Sequence, residues 1–163
     1  MFVWCIFDDP IFQFKVWPAE SHLITQGFGV HPEDYLPFGL PGHEGLDFRA
    51  PTGSKLFAVA DGEVSEVRLD GNTNWQQFPY GNQVRIKHER SEGVYTTVYA
   101  HLQSVIVKAG QRVLAGDVIG YADSTGNSTG SHLHLTLILD GATKAGKTTF
   151  PRDIVNPTAY LPA

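Results

Sequence analysis

Three short stretches carry residue types that could do chemistry together. "HEGLD" holds His43 and Asp47 four positions apart, "YAHL" contributes His101, and "HLH" holds His132 and His134. Imidazole and carboxylate are good zinc ligands, and a catalytic zinc takes three protein ligands plus water. A hydrolytic site also needs groups that move the protons of that water. Histidine is the side chain best tuned for this near neutral pH. Taken singly, each stretch says little. An isolated HxxxD is common, and a lone strand histidine is usually a hydrogen-bonded rim residue.

The elements that must position these groups read as strands. "KLFAVA", "EVSEVRL", "NQVRIKHE", "GVYTTVYAHL", "RVLAGDVIGYA" and "HLHLTLILD" are short runs separated by turn residues, and Asp61–Gly62 is a hairpin signal between the first two. No stretch sustains a 3.6-residue apolar period, so helix content should be very low. Alternation puts His132 and His134 on one face, opposite Leu133 and Leu135, and groups His101 with Tyr95, Thr97 and Tyr99. Three imidazoles can then project into one space. The plainer possibility is a polar outer face of a sheet. The expected fold is all-β: an antiparallel sheet core with long loops walling an active-site groove.

Bulk composition narrows the function classes. A chain of 163 residues suffices for one domain with a real core. The net charge is −5 with no Lys/Arg-rich run, which argues against nucleic acid as a partner. The single Cys5 excludes an intrachain disulfide. The apolar start "MFVWCIFDDPIF" lacks a basic n-region and is interrupted by Asp8, Asp9 and Pro10. It reads as no clear signal peptide and no transmembrane segment. Residues 1–25 are expected to form a lead-in or a flap over the groove, and residues 26–163 the main domain.

In order and with their flanks, the three stretches become specific. "GHEGLDFRAPTGSKLFAVADGEV", "YGNQVRIKH", "YTTVYAHL" and "VKAGQRVLAGDVIGYADSTGNSTGSHLHL" resemble the lysostaphin-type zinc metallopeptidases, the β-rich peptidoglycan endopeptidases. The resemblance covers about residues 26–140, and the tail "NPTAYL" fits the family's C-terminal end. It implies His43, Asp47 and His134 as zinc ligands, and His101 and His132 as the two non-ligand catalytic histidines. It further implies metal-assisted amide hydrolysis of peptidoglycan stem peptides or cross-links by an extracytoplasmic protein, here expected to be a monomer. The alternative from another class is a non-catalytic wall-binding or amidase-activating module of the same fold. Lost ligands would favour the module, and none of the five positions is substituted. The Gly-punctuated "VKAGQRVLAGDVIG" also resembles biotinyl and lipoyl carrier domains, but its turn "LAGD" lacks the lysine that carries their cofactor.

Other residues have weaker claims. His88 in "RIKHE" has no ligand spaced near it and suits a structural hydrogen bond. His31 could line the groove or cap a loop, and His22 should be exposed. Tyr35 and Tyr99 are candidate oxyanion or substrate hydroxyls, kept outside the catalytic set because a sheet aromatic more often packs. The loop 124–130 could present backbone amides to a peptide. The long connection 70–81, with Trp75 and Phe78, could form a groove wall.

Overall fold

The computed structural model describes residues 11–69 and 75–163. Strands dominate, as the alternating runs require. They are β1 (Ile24–Gln26), β2 (Leu46–Arg49), β3 (Lys55–Phe57), β4 (Gly62–Arg68), β5 (Gln83–Arg90), β6 (Gly93–Ala100), β7 (Leu102–Val105), β8 (Arg112–Val113), β9 (Val118–Ala122), β10 (His132–Leu139) and β11 (Ile154–Val155). The helical pieces are one turn of α-helix, α1 (Pro32–Tyr35), and two short 3-10 turns at Leu36–Phe38 and Pro157–Tyr160. The second of these is the "NPTAY" segment, where Asn156 accepts from the Thr158 amide and Pro157 takes the first helical position.

The strands form two antiparallel sheets. The larger runs β1-β2-β10-β6-β5-β4-β8, with β11 paired to the far end of β10, and the smaller runs β3-β9-β7. One face of the large sheet packs Leu46, Phe48, Val64, Val84, Ile86, Tyr99, Leu133, Leu135 and Leu137 against Leu56, Leu102, Ile119 and Ala122 of the small one. Each such aliphatic side chain contributes about 1.5–3 kcal/mol by leaving water. Residues 11–19 join this core: Phe12 and Phe14 are buried, Phe12 stacks on Tyr95 at 4.3 Å, and Ala19 bridges to Leu56. This segment lies on the core side of the large sheet. Part of the expected flap falls on residues 1–10, outside the described residues.

Two expected pairings differ. Asp61–Gly62 closes no hairpin, because β3 pairs with β9 while β4 pairs with β5 and β8. Likewise β8 and β9, joined through "LAGD", belong to different sheets. The reason is burial on all sides: Ala58, Val59 and Ala60 are fully buried and pass between the layers. A run of small apolar residues suits such a crossover as well as it suits a strand.

Candidate metal centre and groove

The outer face of the large sheet floors a groove of about 1080 Å³, at the upper end for a ligand site. Strand pairing assembles its head. His134 lies opposite Asp47, and His132 opposite Arg49, across the β2–β10 ladder. Asp47 and Arg49 alternate with the core residues Leu46 and Phe48, so both face the groove. His43 arrives from the loop before β2. Gly45 makes this approach possible: a Cβ there would run into the Leu135 carbonyl and come within 2.9 Å of the His134 ring.

Three donor atoms converge. His43 Nε2 lies 3.0 Å from His134 Nδ1 and 3.1 Å from Asp47 Oδ1, and the last two are 2.9 Å apart. Tetrahedral zinc with bonds of about 2.0–2.1 Å would separate its ligands by about 3.3 Å, so small outward shifts would seat one ion. All three residues are buried. Burial would raise the Asp47 pKa, but contact with the His134 and His43 rings outweighs it and holds the carboxyl below its usual range.

Backbone carbonyls set the imidazole tautomers. His43 Nδ1 donates to Gly27 O at 2.8 Å, leaving the Nε2 lone pair for the donor cluster. His101 Nδ1 donates to Thr125 O at 2.7 Å, and His132 Nδ1 to Gly130 O at 2.8 Å. Their Nε2 atoms are left to the groove, that of His132 lying 3.6 Å from Asp47 Oδ2. The two rings are 4.8 Å apart, and His101 is 6.0 Å from the His134 ring. Burial, then the charges of His134 and His132, push the His101 pKa down to about 3, so this ring is neutral at pH 7.

His101 does not follow the alternation that groups it with Tyr99. Tyr99 is fully buried in the core, where its oxygen accepts the Val59 amide at 2.9 Å. His101 comes one residue after β6 ends and has φ +66°, a left-handed conformation that turns its side chain to the groove. The contact between loops 79–82 and 123–127 supports that turn. The His101 amide bonds Tyr80 O at 2.8 Å. Gly81 and Gly126 have positive φ and meet so closely that a Cβ on either would strike the other loop's backbone.

Three residues went unmarked in the sequence: Glu44, Tyr80 and Thr136. His134 Nε2 lies 2.8 Å from Thr136 Oγ1, Thr136 Oγ1 lies 3.0 Å from the Tyr80 hydroxyl, and Tyr80 donates to Glu44 Oε1 at 2.8 Å. A carboxylate only accepts, which orders every proton in the chain. Nε2–H of His134 donates to Thr136, Thr136 to Tyr80, and Tyr80 to Glu44. Nδ1 of His134 is the nitrogen turned on Asp47 Oδ1, and is the one a metal would take. Glu44 is buried, and among the described residues its Oε2 has no hydrogen-bond partner.

The walls contain the expected loops in part. Gln77, Phe78, Pro79 and Tyr80 line one side, and Asn127 to Ser131 the head; Trp75 is not among the lining residues, and 70–74 lie outside the described residues. Tyr35 and Phe38 line the other side. The Tyr35 ring is 5.4 Å from that of His43. Burial, with the Asp47 and Glu44 carboxylates, pushes its pKa up to about 12, so it remains a hydroxyl. His31 is exposed at the start of α1 with φ +52° and does not line the groove. His22 is exposed and stacks on Trp17 at 4.5 Å. His88 is buried and hydrogen-bonded, as a structural histidine should be.

Comparison with known proteins points to peptidases. The peptidoglycan DD-endopeptidase ShyC of Vibrio cholerae is 38% identical over 131 residues, which are 80% of this chain and 28% of that protein. A glycyl-glycine endopeptidase of Staphylococcus capitis is 36% identical over 111 residues, 67% of this chain and 28% of that protein. The chain thus spans just over a quarter of each. The crystal structure of a zinc-containing peptidase from Vibrio cholerae superposes with a TM-score of 0.67 at 32% identity, over 92% of this chain and 41% of that one. The family model for peptidase family M23 matches residues 41–145, which hold all five histidine and aspartate positions of the groove head, and the chain belongs to that family.

Proposed function

We propose that this chain is a zinc-dependent endopeptidase that hydrolyses peptide bonds in bacterial peptidoglycan, acting outside the cytoplasm as a monomer. One observation carries the reading: three ligand atoms converge within about 3 Å beside two imidazoles held through Nδ1 by backbone carbonyls. His43, Asp47 and His134 hold the metal. Bound there, zinc supplies Lewis-acid polarisation of the scissile carbonyl and lowers the pKa of a water.

The chain's own groups do the rest. His101, neutral and oriented by Thr125 O, accepts the proton of the attacking water at Nε2 and returns it to the leaving amine as the C–N bond breaks. His132, at the groove head, stabilises the oxyanion when its Nε2 carries a proton to donate. The Tyr35 hydroxyl faces the same space. Among the described residues no helix is long and apolar enough to cross a membrane.

The test pairs zinc content by mass spectrometry with turbidity loss of purified sacculi, for wild type and His132→Ala. About one zinc per chain and lysis in the wild type, with zinc kept and lysis lost in the variant, are expected. A wild type with neither zinc nor lysis would instead indicate the non-catalytic wall-binding module. That alternative is not favoured, because all five residues are present and share one space.

A further inference from the structure

We propose, resting on the endopeptidase reading, that Arg49 binds a free carboxylate beside the scissile bond. The groove would then select carboxylate-flanked cross-links over neutral glycine bridges. Charge is unevenly spread in this molecule. The net charge is −5, yet Arg49, Arg68, Arg85 and Arg152 all line the groove. Only Arg90 and Arg112 lie elsewhere, and no lysine lines it. Arginine's planar fork matches a carboxylate in a way that a lysine ammonium does not.

Three of the four are engaged. Arg68 and Arg85 lie 2.6 Å and 3.4 Å from Glu66, and Arg152 donates to Phe38 O at 3.3 Å. Arg49 is exposed, and among the described residues its guanidinium has no hydrogen bond or ion pair.

Its position is specific. Arg49 follows Asp47 on the groove face of β2, about 7 Å further along the strand. It also stands directly across from His132, with Cβ atoms about 5 Å apart. Asp47 turns Oδ1 towards His43 and His134 and Oδ2 towards His132 at 3.6 Å, and makes no ion pair with the arginine. An amide carbonyl seated at the three donors would therefore place the adjoining residue within reach of Arg49. A cross-link whose leaving amine sits on a carbon bearing a free carboxylate offers a partner there. A glycine bridge offers none.

Two synthetic peptides, identical except for carboxylate or carboxamide on the residue that supplies the leaving amine, test this. kcat/KM is measured with zinc-loaded wild type, Arg49→Ala and Arg49→Lys, and binding to the metal-free proteins is followed by NMR titration. The wild type should prefer the carboxylate peptide by about 10–100-fold. Arg49→Ala should lower that peptide to the carboxamide level, and Arg49→Lys should retain part of the preference. The same ranking should appear in binding. No preference in the wild type, or equal proportional losses on both peptides, would overturn the proposal. A binding preference without cleavage of either peptide would support the subsite and sink the endopeptidase reading instead.

Discussion

His88 and His134 are both buried on strands of the large sheet, and each sets Nε2 against a threonine hydroxyl, Thr97 at 2.9 Å and Thr136 at 2.8 Å. Their other nitrogens differ. His88 Nδ1 donates to Asp61 O at 2.9 Å, so Thr97 must donate to Nε2, and the ring is neutral and satisfied. The relay ending at Glu44 reverses that order at His134: the threonine accepts, and Nδ1 is the nitrogen turned on Asp47 and His43. Burial is common to both sites. What makes one a candidate ligand is the acceptor at the far end of its hydrogen-bond chain.

The sharpest way to break this contrast is to delete each ring. His134→Ala should abolish zinc binding and activity with the fold retained, read by metal analysis and circular dichroism. His88→Ala should keep zinc in the folded fraction but lose about 3 kcal/mol in urea unfolding, because a buried ring is deleted and the Thr97 hydroxyl loses its acceptor, while the Asp61 carbonyl keeps only Arg90 at 3.2 Å. Next in size, His101→Ala should keep zinc and lower kcat by about 10²–10⁴-fold.

A pH series sharpens the contrast from the core side. Burial pushes the His88 pKa down to about 4 from 6.5. The unfolded chain therefore binds a proton between those values that the folded chain does not. His88's contribution is complete above pH 6.5 and is lost as pH falls towards 4, a change of about 3 kcal/mol. His88→Gln should flatten that limb of the stability curve. The smallest effect belongs to the relay. Glu44→Gln removes the accept-only end, so zinc affinity measured by chelator competition should drop about 10–100-fold. Nitrogen NMR of metal-free protein should show the His134 tautomer no longer fixed. Unchanged tautomer and affinity would show that Thr136 alone orients the ring.

The five head-of-groove residues are legible in the sequence because their order and flanks survive as short motifs. Glu44 lies inside one of those motifs and still carries no signal. Its partner Tyr80 is 36 positions away, and only folding joins them. His101 misleads for a different reason. Alternation holds within a strand, and β6 stops at Ala100, where a left-handed residue resets the facing. The split of β3 from β4, and of β8 from β9, is unreadable because the strand period reports which faces are buried, not which sheet a strand joins.

The tether between the two ends of the described chain has a mechanical consequence. Phe14 N bonds Tyr160 O at 2.9 Å, and the Gln13 side chain donates to Tyr160 O and Leu161 O at 2.7 Å and 2.9 Å. Phe12, Phe14 and Tyr160 cluster on the core side of the large sheet, away from the groove. Residues 12–14 and 160–161 are thus gathered at one point behind the working surface. Pulling on either end would load that point rather than the ligand-bearing strands. A long polymer could then cross the groove without meeting residues 12–14 or 160–161.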